Sequence, residues 1–283
     1  MTVHGAFVSI AAGADVELDG FWCPGRRRHG TLVVFQHGLG SNFLKGGFKK
    51  ALLTQSAPHG FDFLSLNNRG CNRNSVTERF TDCLKDLDLM LAFGRKQGYR
   101  RFVLFGHSTG SQKVTYYQSR RQRADVKAVV LAAPADDYAV ARRDLGGRYG
   151  YYLRKANRMV AAGRGDETLI RAYFDMSARR FLSVADPTRT EAALFDYSGR
   201  LTHFRRLRCP VLALFGAEEE YAPLPVARMG EILRDKTRAA RFAFWSIPGA
   251  DHGFHGKERA TAARIYRWLR SSLECEKPSE CGT

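Results

Sequence analysis

The sequence predicts an α/β fold in which a mostly parallel sheet is covered by helices on both faces. Three observations predict it. Eight short apolar runs, rich in β-branched and aromatic residues, recur along the chain. Segments of helical period lie between many of them. The first two runs follow each other with no helix between. Strands alternating with helices need parallel pairing with both faces buried, and two adjacent strands without a helix form an antiparallel hairpin at the sheet's start.

The predicted strands are Gly5–Ile10, Val16–Trp22, Thr31–Gln36, Phe61–Leu66, Arg101–Phe105, Ala128–Ala132, Pro210–Phe215 and Arg241–Ile247. Phe80, Cys83, Leu84, Leu87 and Leu91 fall on one helical stripe, at i, i+3, i+4, i+7 and beyond. Ser75-Val76-Thr77-Glu78 reads as a capping box for that helix. Another helix follows Ser108, and the last spans Lys257–Leu273. The interval after the sixth strand breaks the rhythm. It predicts helices over Arg148–Ala162, over Asp166–Phe181 and after Thr188-Arg189-Thr190-Glu191, again a capping-box pattern. Connections in α/β units are short, so an insertion of this length reads as a lid or cap. The domain reading is a core of residues 1–137 and 201–274, a helical cap at 138–200 and a polar tail at 275–283. A Rossmann domain would need Gly-x-Gly-x-x-Gly at a strand-to-helix turn, and no such turn carries it.

Composition excludes several classes. With 44% hydrophobic and 26% charged residues, the 283-residue chain can bury an ordinary core. No apolar run approaches a membrane span, and the first twenty residues lack a basic start before an apolar stretch. The expectation is a cytoplasmic protein. The six cysteines are scattered, without a Cys-x-x-Cys pair or histidines at metal spacing, so the reading is free thiols and no metal. The net charge of +17 comes mostly from arginines spread through the chain, with no nucleic-acid-binding motif. The expected partner is a small molecule, with no dedicated nucleic-acid binding and no membrane span.

The chemistry starts at Gly106-His107-Ser108-Thr109-Gly110. A serine hydroxyl is a weak nucleophile until a base takes its proton. Gly-x-Ser-x-Gly between a strand and a helix lifts the serine oxygen to the sheet's rim and aims the helix N-terminus at the same spot. Upstream, the third strand ends in His37-Gly38-Leu39-Gly40, whose backbone N–H can join that of Thr109 in an oxyanion hole. Leu39 is the first choice of donor and Gly38 the second. The strand Pro210–Phe215 ends at Gly216, followed by Glu218, Glu219 and Glu220. Spacing favours Glu219 as the acid that orients the base, with Glu220 next. His252, in the loop after the last strand, is the base, with His255 second; His107 sits beside Ser108 but should point elsewhere.

The order serine, acid, histidine, with each at a strand end, resembles the α/β-hydrolases over nearly the whole chain. The matching pieces are His37-Gly38, Asn68-Arg69-Gly70, Gly106–Gly110, Gly216–Glu219 and Asp251-His252-Gly253-Phe254. The resemblance implies a Ser108–His252–Glu219 triad and an α/β-hydrolase fold: a mostly parallel eight-stranded sheet, helices on both faces, and a helical cap inserted after strand 6. It implies hydrolysis of a carboxylic ester without a cofactor. Thioester or amide hydrolysis and acyl transfer use the same residues, and the fold also serves as a non-catalytic binding module. The chain departs from the family in two places. Glutamate stands where aspartate is commoner, and some branches take the acid from the end of the preceding strand, which makes Asp136 or Asp137 the alternative here. The loop Asn67–Ser75 keeps an Arg-Gly step but has Asn72 for a second glycine, and is expected to brace the oxyanion loop, with Cys71 a structural thiol.

Overall fold

The computed structural model describes residues 2–13, 15–25, 30–169 and 174–274. Eight strands form one sheet: β1 (Ala6–Gly13), β2 (Val16–Cys23), β3 (Thr31–Gln36), β4 (Asp62–Leu66), β5 (Arg101–His107), β6 (Val126–Ala132), β7 (Val211–Gly216) and β8 (Phe242–Ile247). Their spatial order is β1-β2-β4-β3-β5-β6-β7-β8. β1 and β2 pair antiparallel, β2 pairs antiparallel to β4, and every later pairing is parallel. The predicted strands are all present, with ends shifted by a few residues.

The period-two alternation of buried strands sorts the core into two layers. On β5, Phe102 and Leu104 face one layer, while Val103 and Phe105 face the other. The first layer packs against α2 (Cys83–Lys96), α3 (Thr109–Arg121) and α7 (Val226–Lys236). The second packs against α1 (Gly47–Ser56) and α8 (Glu258–Glu274). Phe80, Cys83, Leu87 and Leu91 of the predicted stripe are buried in the first layer.

Between β6 and β7 lie α4 (Asp137–Leu145), α5 (Tyr149–Ala161) and α6 (Ala178–Ala185), which share a separate apolar cluster built around Ala141, Ala156 and Phe181. The helix expected over Asp166–Phe181 is not there. Its described part turns at 165–167 and pairs Thr168 with Ser177 in an antiparallel bridge, and helix resumes only at Ala178, capped by the Ser177 side chain. No helix follows Thr188–Glu191 either; the chain turns there, with Thr188 bonded to Asp186. Ser75–Glu78 is likewise no capping box. Ser75 donates to the Asn72 carbonyl, and Glu78 is buried against Lys113 and Arg180. A charge partner from elsewhere in the fold took each capping glutamate. The expected polar tail at 275–283 lies outside the described residues. No helix among the described residues is long and apolar enough to cross a membrane.

Candidate active site

β5 ends in the turn that carries Ser108. The serine holds φ 56°, a left-handed conformation that a non-glycine residue adopts only under constraint. Its N–H is bonded to the Ala132 carbonyl at 2.9 Å, and its carbonyl accepts the Ser111 N–H at 2.8 Å. The flanking glycines are required sterically. A Cβ on Gly106 would collide with the Gly110 backbone, and one on Gly110 with the Gln36 carbonyl at the end of β3. The turn is therefore wedged between two strand ends with no room for side chains.

The loop after β3 lies directly on the serine. A Cβ on Gly38 would sit 2.8 Å from the Ser108 Cβ. His37 anchors this loop. Its Nε2 accepts the Asn68 N–H at 3.2 Å, so its proton is on Nδ1, where it is 2.9 Å from the Gly38 carbonyl. Burial and the Lys113 charge push its pKa down to about 3, so it stays neutral and holds that tautomer. Further along the bracing loop, the Asn72 N–H bonds the Ser41 carbonyl at 2.9 Å and Asn67 Oδ1 accepts the Phe43 N–H at 2.9 Å. Cys71, half-buried there, has its thiol pKa raised by burial, as suits a structural thiol.

The two glutamates after β7 both reach His252. Glu219 Oε1 lies 2.6 Å from the His252 Nδ1, while Glu220 Oε2 accepts the His252 backbone N–H at 3.0 Å. Glu219 thus sets the ring's tautomer, Nε2 has no hydrogen-bond partner among the described residues, Ser108 included, and Glu220 holds the backbone. The alternative acids are engaged elsewhere. Asp136 caps α4 through the Ala139 N–H at 2.9 Å, and Asp137 takes the Gln112 amide at 2.8 Å. His255 is exposed and bonded to Asp251. His107 makes no side-chain hydrogen bond to Ser108, but it has a part that sequence reasoning missed: its Nε2 donates to the His252 carbonyl at 2.9 Å. Burial, with the neighbouring His252, pushes His107 down to about 3 and keeps it neutral. The His-Ser adjacency in the motif was its visible signal.

Ser108, Thr109, Leu39 and His252 line one cavity of about 600 Å³, together with Tyr221, whose ring packs edge-on against His252 at 4.8 Å. A second cluster of charge lies buried alongside. Lys113 of α3 pairs with Glu78, and Arg180 of α6 pairs with Glu191 and lies 3.6 Å from Glu78. Burial opposes the Glu78 charge, but Lys113 and Arg180 outweigh it and hold its pKa below the usual carboxylate range.

A family model described as "Protein of unknown function (DUF1749)" matches residues 51–271. The chain belongs to that family. Within the DUF1749 match fall Ser108, Glu219 and His252, while Leu39 precedes it. No curated protein matches significantly by sequence. Solved structures align over almost the whole chain. A thermostable carboxyl esterase from Bacillus coagulans is 12% identical at a TM-score of 0.69, covering 96% of this chain and 100% of its own. Est1E from Butyrivibrio proteoclasticus, solved with ferulic acid bound, is 13% identical at 0.67, covering 94% and 99%. The siderophore hydrolase EstB from Aspergillus fumigatus is 18% identical at 0.65, covering 97% and 98%. These likenesses establish that this DUF1749 chain has the α/β-hydrolase fold.

Proposed function

We propose that the chain is a serine hydrolase that cleaves a carboxylic ester through an acyl-enzyme on Ser108. The observation that carries this reading is the join of a positive-φ serine and a glutamate-held histidine in one cavity. His252 Nε2 takes the Ser108 proton as the hydroxyl attacks the carbonyl carbon, with Glu219 stabilising the imidazolium. The N–H groups of Leu39 and Thr109 hold the oxyanion. His252 then gives its proton to the leaving alcohol, which departs as the acyl-enzyme forms. Water, deprotonated by the same imidazole, releases the acid and restores the serine. No cofactor enters.

Likeness to a carboxyl esterase, a siderophore hydrolase and the ferulic-acid-bound Est1E supports ester as the bond. We read residues 138–200 as a cap over the site, supported by Leu39 packing against the insertion's apolar cluster and by Val140 and Phe174 lining the cavity. Residues 1–137 and 201–274 then form the hydrolase core. Reduced thiols at Cys23, Cys71 and Cys83 suit a reducing compartment, in keeping with a cytoplasmic protein. The test is turnover of ester, thioester and amide panels of graded acyl length. The reading expects ester cleavage that falls by at least about 10⁴-fold in Ser108→Ala. Ester turnover that survives this change refutes it.

A further inference from the structure

The cavity carries polar groups that acyl transfer does not use. Asp137, the first residue of α4, lines it and is only 6% exposed. Its Oδ2 accepts from Gln112 Nε2 at 2.8 Å, and that nitrogen also donates to the Ala135 carbonyl at 3.1 Å. Both amide protons are committed, so the carboxyl is held in one orientation. Its other oxygen has no partner among the described residues. Thr109, one helical turn before Gln112 on the same face of α3, also lines the cavity at 3% exposure. Its Oγ1 is unpartnered as well. The neighbouring wall is apolar, with Leu39, Val76, Val140 and Phe174. Two buried polar groups with open hydrogen-bonding capacity, set in an apolar wall, are what a site needs to recognise one polar group on an otherwise apolar ligand.

Resting on the esterase reading, we propose that Asp137 is a specificity-determining residue that, with the Thr109 hydroxyl, binds a hydroxyl group on the ester substrate. The partner is a hydroxyl because of what each group can offer. Burial and the Glu191 carboxylate push the Asp137 pKa up to about 7, so both its forms are present near neutrality. A hydroxyl donates to the ionised form and accepts from the protonated one, and its remaining valence meets Thr109. An ammonium only donates and a ketone only accepts, so each fits one form alone. A plain alkyl chain leaves both protein groups unpaired.

The experiment compares kcat/KM for matched ester pairs with and without a hydroxyl, such as 4-nitrophenyl 3-hydroxybutyrate against 4-nitrophenyl butyrate. A second pair carries the hydroxyl on the alcohol, which distinguishes the two sides of the ester. Wild type is expected to prefer one hydroxylated member by on the order of 100-fold. Asp137→Leu should bring that ratio near one, while Asp137→Asn, which still donates and accepts, should keep most of it. Thr109→Val, nearly isosteric, should lower the ratio and serves as the second probe if Asp137→Leu does not fold. A wild-type ratio near one, or a ratio that Asp137→Leu leaves unchanged, overturns the proposal while ester cleavage on Ser108 still stands. Failure to cleave any ester overturns the esterase reading, and this proposal with it.

Discussion

Two clusters of titratable groups lie near the cavity, one partly exposed and one buried, and they are built differently. Around His252, Glu219 takes the ring, Glu220 the backbone N–H, and His107 the carbonyl, which leaves the ring's Nε2 with no hydrogen-bond partner among the described residues, in the cavity that Ser108 also lines. Around Arg180, every charge finds an opposite. Lys113 meets Glu78, Arg180 meets Glu191 and Glu78, and Ser183 adds a hydrogen bond to Glu191 at 2.6 Å. The first cluster is open at the ring nitrogen that the proposed chemistry uses. The second closes on itself and ties α6 and the 186–200 turns to α3 and the loop before α2. An open cluster should matter to turnover and little to stability, and a closed one the reverse.

Glu219→Gln breaks the open cluster most severely, because a neutral amide no longer stabilises the imidazolium or dictates its tautomer. Ester kcat should fall on the order of 10⁴-fold, with a melting shift below about 4 °C. In the closed cluster, Arg180→Met leaves Glu78 and Glu191 buried with only Lys113 between them. Calorimetry should show a loss of about 3–5 kcal/mol, which Arg180→Met combined with Glu191→Leu should partly restore. A smaller effect separates the two glutamates. Glu220→Gln keeps an acceptor for the His252 N–H, so kcat should fall by about tenfold or less, a free-energy change near 1.4 kcal/mol. If Glu220→Gln proves more damaging than Glu219→Gln, the assignment of the acid is wrong.

Lys49 sharpens the contrast as a buried cation in neither cluster. It donates to the Asn42 carbonyl and lies 5.2 Å from the Phe35 ring, with no carboxylate partner among the described residues. Burial lowers its pKa to about 7. Between there and its ordinary value of 10.5 the unfolded chain holds a proton that the folded one has released. This group's contribution to stability therefore rises with pH across that window, and is lost as pH falls through 7. The slope is at most about 1.4 kcal/mol per pH unit. Melting curves from pH 7 to 9 should show it in wild type and lose it in Lys49→Met.

The open cluster was legible in the sequence because each member stands in a short motif at a strand end. Glu219 lies three residues past the end of β7, His252 five past the end of β8, and Ser108 is wedged by glycines that name its turn. Local pattern was enough, as it was for the strands, where the apolar runs of β3 to β7 are buried on both faces. The closed cluster was not legible. Glu78, Lys113, Arg180 and Glu191 come from four separate segments, and nothing in a local window pairs them. The spacing that reads as a capping box at Ser75–Glu78 and Thr188–Glu191 is the same spacing, with each glutamate drawn inward by a distant cation. The missing helix near 166–181 fails for a related reason: helical period there reflects packing into the insertion's own apolar cluster, where a bridge and turns bury Leu169 and Met176 equally well.

A Ser108 nucleophile activated by His252 is open to labelling with a fluorophosphonate, located by peptide mass spectrometry. One adduct is expected, on Ser108, absent from Ser108→Ala and strongly slowed in Glu219→Gln. An unlabelled wild-type protein, or an adduct that persists in Ser108→Ala, would contradict that role for Ser108.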